Sequence, residues 1–430
     1  MNERIKENDP YRKSRLLYII QAALEYFVSI IVAGAYLAKV TTAVGMSEGM
    51  TGVLSSFVSL GCGMQLIALF LTRVRSTKRL VVGASVINQL LFAVVYLTPF
   101  LPDSMAGGKS IVLLISLLLA HFVMNAVHSP KIGWLMSLVD DHHRGVFTAK
   151  KEMVSLLGGM LFTFLMGSMM DAFEAKGNQK GAFIFCAIAI SVLCLFHTLV
   201  LLLTKEREEK RTVAHISFKA ILGNKSLLKV TLFSVLWHIV NYISLPFYGA
   251  YQIGALGFSM TFVSLLSIIS SLARSACSLP MGRFADKHSF ANALILCFGV
   301  KALSFVAVTF TNPSTGYILY PVYMVLQAVA LSGINSGTIN LVYDYVPSEG
   351  RVAALAMQNS IAGVAGFLTT LAVSPFVDYV KAQGNVFLGI HAYPQQILSF
   401  VSAVGSVGII FYLVFVIRKI RRPEETEIKE

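Results

Sequence analysis

The chain reads as an all-α membrane protein with twelve transmembrane helices in two pseudo-symmetric six-helix bundles. Three observations carry that reading: an apolar composition, evenly spaced hydrophobic blocks, and an internal duplication. Of the 430 residues, 56% are hydrophobic and only 13% are charged. A water-soluble domain cannot hide that much apolar surface, so the bilayer is the expected solvent. About 20 apolar residues cross the hydrocarbon at a rise of about 1.5 Å each. Blocks of that length lie near 16–38, 50–72, 80–99, 110–138, 150–171, 181–204, 227–252, 257–281, 290–310, 316–345, 353–374 and 396–418.

The two halves repeat each other. A shift of 212 residues superposes Tyr36, Ala38, Gly45, Ser47 and Ser59 on Tyr248, Ala250, Gly257, Ser259 and Ser271. A shift of 207 superposes Arg144, Gly159, Thr163, Asp171 and Gly177 on Arg351, Gly366, Thr370, Asp378 and Gly384. Doubled membrane chains are characteristic of secondary transporters, because two similar bundles can rock about a site between them.

Charge distribution orients the twelve spans. With a cytoplasmic N-terminus, the 35 Lys and Arg divide into 27 on the inner side, 5 outside and 3 within spans. That bias satisfies the positive-inside rule and places both termini in the cytoplasm of a multi-pass plasma (cytoplasmic) membrane protein. The net charge of +13 therefore reflects insertion, and its scatter over short loops argues against nucleic-acid binding. The first block, preceded by Arg12, Lys13 and Arg15, is too long for a signal peptide, carries Glu25 and leads into another span, so a retained helix is expected. Cys62, Cys186, Cys194, Cys277 and Cys297 all fall within spans without Cys-x-x-Cys spacing, and read as packing residues.

Residues 205–225 form the one long polar stretch between hydrophobic blocks, with an amphipathic part from His215 to Leu222. The expected organisation is an N-terminal bundle over 1–204, a cytoplasmic loop over 205–225, and a C-terminal bundle over 226–430. No extramembrane segment is long enough for a catalytic domain, and no His-Glu-x-x-His, Gly-x-Ser-x-Gly or paired-aspartate pattern occurs in the spans. An enzyme is not expected, nor a cofactor or a metal.

Ionisable residues inside spans cost roughly 2.5–3.5 kcal/mol on insertion scales, so each needs a partner, water or a function. Glu25 in the first span and Lys131 in the fourth lie at similar depths and meet if those helices are neighbours. Such a pair is either structural, or a carboxylate that takes up a proton or cation beside a lysine that contacts substrate. Arg274 in the eighth span sits at the repeat position of Cys62, so its charge is not part of the shared scaffold. Lys301 in the ninth span carries less weight, since its stem reaches other partners.

The fourth span is polar for its depth, with His121, Asn125, His128 and Lys131, and Pro130 invites a kink. The tenth carries Gln327 and Asn335; the seventh carries Trp237, His238, Asn241 and Tyr242; the first carries Gln21 and Glu25. Any one of these residues reads as ordinary helix–helix glue at roughly 0.6 kcal/mol. As a set on four repeat-matched helices they point to a polar cavity. Small residues in the fifth and eleventh spans, including Gly158, Gly159, Gly363 and Gly366, permit close packing.

Between the eighth and ninth spans, Gly282-Arg283-Phe284-Ala285-Asp286-Lys287 resembles the G-x-x-x-D-[RK] loop of the major facilitator superfamily. The first-half counterpart, Leu71 to Arg79, keeps basic residues such as Arg75 but lacks the Gly and Asp. After the fourth span, Pro130, Trp134, Leu138, Val139, Arg144 and Gly145 resemble the P-x-x-x-W…L-V-P…R-G stretch of bacterial members, echoed by Val346, Pro347 and Arg351. The resemblance implies alternating access with the first, fourth, seventh and tenth spans around a central cavity. It also implies gating through Gly282, Asp286 and Lys287 and through the arginines Arg75, Arg144 and Arg351. His121 falls roughly where drug antiporters carry an Arg, and the fifth span has no G-P-x-x-G-G-like proline, which departs from that subgroup.

The expected function is secondary transport of a small polar or anionic organic solute, with Glu25 as coupling site. One in-span acid against Lys131 and Arg274 leaves surplus positive charge suited to a carboxylate or phosphate. The expected partners are that solute, the lipid bilayer and protons, with the protein acting as a monomer. Export of amphipathic drugs and a non-transporting receptor on the same scaffold are the alternatives.

Overall fold

The computed structural model describes residues 10–66, 77–102, 106–139, 144–207, 223–346 and 351–420. Among them, eleven helices are long and apolar enough to cross a bilayer. They include the expected first span, Arg12–Ile31, and continue through the fifth, Arg144–Ala175, to the twelfth, Pro394–Phe415. The remaining expected crossing, 50–72, is described to residue 66 as Glu48–Ser55, Phe57–Gly61 and the 3-10 turn Cys62–Met64. The basic loop with Arg75 and the amphipathic stretch His215–Leu222 lie outside the described residues. Among the described residues the architecture is helical, apart from a short hairpin pairing Val386–Phe387 with Ile390–His391.

The duplication is conformational as well as compositional. Gly45 and Gly257, related by 212 residues, take positive φ of 83° and 64°; Gly177 and Gly384, related by 207, both take 68°. An L side chain is strained in that region, so glycine recurs where both copies turn between spans. The next helix in each copy starts on the same cap. Ser47 accepts from the Met50 N–H and Ser259 from the Phe262 N–H, each at 3.1 Å, which satisfies one of the orphan donors of a helix start.

Both leading spans also break. The first is interrupted after Ile31 and resumes at Gly34; the seventh is interrupted after Tyr242. A broken helix in hydrocarbon needs its freed carbonyls satisfied from elsewhere. Tyr96 of the third span donates to the Ile31 carbonyl, and Thr370 of the eleventh donates to the Tyr242 carbonyl at 3.0 Å. The fourth span, described as Ala106–Ala126 and His128–Met136, breaks at Val127, three residues before Pro130. This is the kink the proline implies.

Contacts sort the chain into two compact units. One comprises Met1–Val44 with Ile67–Thr212; the other comprises Gly45–Leu66 with Val213–Glu430. Packing thus departs from the simple halving of the sequence at one segment. In the first unit, Gly158 lies under the Phe27 ring and Gly159 under Tyr26. In the second, Gly45–Leu66 runs along the eleventh span, Arg351–Ala382. Ser59 Oγ donates to the Gly363 carbonyl and Ser360 Oγ to the Cys62 carbonyl, both at 2.9 Å. At the far end, Ser47 Oγ and the Gly49 N–H donate to the Asp378 carboxylate at 2.9 Å each. Lys381 pairs with Glu48 at 2.8 Å, and Gln395 donates to Glu48 at 2.9 Å.

That contact depends on the absence of side chains. A Cβ on Gly363 would stand 2.4 Å from the Ser59 carbonyl oxygen, whereas one on Gly83 of the third span meets nothing within 4 Å. Overpacking of a close backbone contact typically costs about 1–3 kcal/mol. Gly363→Ala is therefore expected to lower the unfolding temperature of purified protein, and Gly83→Ala to leave it unchanged or raise it. Equal melting temperatures for the two variants would contradict this packing.

Candidate functional site

The first unit gathers a polar cluster within its bundle. Lys131 sits on the short helix His128–Met136, 3% exposed. Its ammonium forms an ion pair with Glu25 of the first span, whose side chain is 34% exposed. The lysine therefore supplies a buried cation, and the carboxylate is the less buried member of the pair. Gln21, one helical turn before Glu25, accepts from His197 Nε2 at 3.2 Å, and Gln89 Nε2 lies 2.7 Å from His197 Nδ1. His128, exposed, and buried His197 both lie within electrostatic reach of Glu25. Asn125, half-buried two residues before the break, donates to the His121 carbonyl at 3.0 Å.

The surrounding packing explains the fourth-span motif. Trp134, Leu138 and Val139 join Tyr18, Val81 and Leu201 in one apolar core. The carbonyls that end the short helix are held by cations: Arg15 donates to Leu138 O at 3.2 Å and Arg207 to Ser137 O at 3.1 Å. Trp134 Nε1 donates to the Lys205 carbonyl at 3.0 Å. Positive groups at a helix C-terminus complement its dipole. Arg351 treats the tenth span alike, donating to the carbonyls of Val346 and Tyr343 at 3.1 and 3.3 Å over the Tyr343 ring.

In the second unit the expected cavity residues have separate surroundings. His238 bonds to its own helix at Ser234 O, 2.9 Å, and stacks on Tyr242 with ring centroids 5.9 Å apart. Asn241 is half-buried and Asn335 exposed. Arg274 is exposed and, among the described residues, has no ion-pair partner. Gln327 accepts from Lys301 Nζ at 2.7 Å. Lys301 is 0% exposed, its ammonium 4.2 Å from the Phe305 ring centroid and 5.5 Å from that of Trp237. An amine boxed by aromatic faces gains cation–π attraction.

Of the expected gating residues, Asp286 and Lys287 are exposed at the end of the eighth helix and Gly282 has open space at its Cα. Arg144 begins the fifth helix. Sequence reasoning named Glu25, Lys131 and Gln21, which the structure brings together, and missed His197 and Gln89. The signal for His197 was its ionisable ring inside the sixth hydrophobic block, the same cost argument applied to the lysines.

A family model of the Major Facilitator Superfamily matches residues 18–370 and 232–430. The chain belongs to this superfamily. Its fold is also that of solved transporters. A variant of the nucleoside transporter NupG superposes with a TM-score of 0.71 at 15% identity, covering 93% of this chain and 99% of that one. A D-xylose-proton symporter gives 0.68 at 13%, covering 92% and 96%. The xylose transporter XylE from E. coli gives 0.66 at 12%, covering 96% and 98%. No curated protein matches the chain. Family and fold make it a multi-pass membrane protein of a class of small-molecule carriers.

Breaking the Glu25–Lys131 pair on one side strands a charge. Lys131→Met and Glu25→Gln are each expected to lower stability, and the double variant to recover part of the loss, giving a coupling of about 1–3 kcal/mol. Thermal unfolding of the four proteins in detergent measures it; strictly additive effects would show that the two side chains do not interact.

Proposed function

We propose that the protein is a secondary active transporter that moves a small polar or anionic organic solute by alternating access, coupled to protons through Glu25. The observation that carries this reading is the asymmetry of the pair in the first unit. Lys131 is buried and Glu25 is 34% exposed on its side chain. A carboxylate held by a cation keeps its charge until the cation is drawn elsewhere or a proton arrives, so it can exchange one with the medium. Structural neighbours named as nucleoside and D-xylose-proton carriers agree with a polar solute and with proton coupling.

The preference for an anion rests on charge. Lys131 is neutralised by Glu25, whereas exposed Arg274 has no ion-pair partner among the described residues. A guanidinium offers bidentate recognition of a carboxylate or phosphate. Asn125, His128, His238, Asn241, Tyr242, Gln327 and Asn335 are the proposed hydrogen-bonding residues along the transport route. Gly282, Asp286 and Lys287, with Arg75, Arg144 and Arg351, are the proposed gating residues. We place the protein in the plasma (cytoplasmic) membrane, with both termini on the cytoplasmic side, acting as a monomer.

Reconstituted vesicles tested against a panel of radiolabelled organic anions, sugars and nucleosides identify the solute. For the solute that accumulates, Arg274→Ala is expected to cut uptake about tenfold, equivalent to about 1.4 kcal/mol. Glu25→Gln is expected to abolish acceleration by an imposed proton gradient. Transport undiminished in both variants would sink the assignment.

A further inference from the structure

We propose that His197 is a second proton-binding site, built so that one rotation of a neighbouring amide serves either protonation state. The inference rests on the transport reading of the Glu25 cluster and names the group that adds charge to it. His197 belongs to the sixth span, Gln179–Leu203, and is 1% exposed. Its two ring nitrogens face two glutamines. Gln21 presents its carbonyl oxygen to Nε2 at 3.2 Å, so Nε2 carries the hydrogen. Gln89 presents its amide nitrogen to Nδ1 at 2.7 Å, so Nδ1 offers its lone pair. The ring in this arrangement is neutral.

The Gln89 carbonyl oxygen is buried and, among the described residues, has no hydrogen-bond partner. A stranded acceptor of this kind costs about 1–3 kcal/mol. A half-turn of the Gln89 amide brings that oxygen to Nδ1, where it accepts the hydrogen that a protonated ring carries. An amide both donates and accepts, from opposite ends of one uncharged group. Protonation is then a simple addition: a proton from water joins the Nδ1 lone pair, the Nε2–H bond to Gln21 stays, and no other bond breaks.

The charges facing the ring are set by its neighbours. Glu25 of the first span and Lys131 of the fourth lie within electrostatic reach of the ring. The third span contributes uncharged Gln89. The fifth span, Arg144–Ala175, carries Lys150, Lys151 and Glu152 near one end and Asp171 and Glu174 near the other. Cys194 lies one turn away on the sixth span itself. With Glu25 and Lys131 cancelling, a proton on His197 takes the cluster from neutral to one positive charge. An anionic solute is therefore favoured in the protonated state, which links proton uptake to anion binding.

Histidine-selective 15N spectra of the full chain in detergent test this without any solute. The resonances of His197 are assigned by their loss in His197→Gln. The expected result is a neutral Nε2–H tautomer at about pH 9 that becomes doubly protonated as the pH is lowered. Glu25→Gln is expected to move that transition to lower pH by about one unit and Lys131→Met to higher pH by about as much. Gln89→Leu, which removes the rotating amide, is expected to suppress it. A single neutral tautomer across the whole range, or a transition unmoved in Gln89→Leu and in Glu25→Gln, overturns the proposal. Failure of the transport reading appears separately, as absent uptake in vesicles.

Discussion

Hydrocarbon offers no hydrogen bonds, and most of the polar detail in this protein follows from that one constraint. Hydroxyls inside the spans fold back on their own helices: Ser264 on Met260 O, Thr338 on Ile334 O and Ser406 on Ser402 O, at 2.7 to 2.8 Å. Where a helix breaks, a neighbour reaches across to the freed carbonyl, as Tyr96 does for Ile31 and Thr370 for Tyr242. The breaks are placed in the two repeat-related leading spans, which indicates that the pre-duplication unit already carried one. The glycine turns at Gly45 and Gly257 keep the same left-handed backbone.

The same constraint sorts the charges. Each ionised side chain within a span is resolved in a different way. Lys131 has a carboxylate; Lys301 has an amide oxygen and two aromatic faces; Arg274 stays exposed. The first solution yields a neutral pair, the second a buried amine, and the third leaves a cation for something outside the chain. Among the described residues, Arg274 of the eighth span and Lys301 of the ninth have no carboxylate partner, whereas Lys131 has one.

Much of the fold was legible in the residues alone. Hydrophobic blocks of the right length, the 212 and 207 offsets and the inner-loop bias of Lys and Arg are one-dimensional signals that a bilayer reads directly. The Glu25–Lys131 meeting was legible too, since depth in a span follows from counting residues. What was not legible is lateral position. Nothing in the order of residues says that Gln327 is engaged by Lys301 on the adjacent ninth span, which removes its carbonyl from the set of free acceptors. Nor does it say that His197 stands between Gln21 and Gln89, residues 176 and 108 positions away. The Trp134 motif, striking a family resonance in sequence, turned out to be core: its ring is 5% exposed and its indole N–H is tied to Lys205.

The attachment of Gly45–Leu66 to the second unit has a consequence for biogenesis. Ser59 finds the Gly363 carbonyl 304 residues later, and Ser47 finds Asp378 after 331. At a synthesis rate of about 5–20 residues per second, this segment waits roughly 15–60 s in the membrane before its partners leave the ribosome. During that interval the glycine and serine face at Gly49, Gly52 and Ser59 lies open to lipid or to other nascent helices. This early segment is thus committed to the bilayer long before its packing is completed near the end of translation. An arrest of synthesis before the eleventh span would leave a half-built molecule with one sticky seam, a natural substrate for membrane chaperones and quality-control proteases.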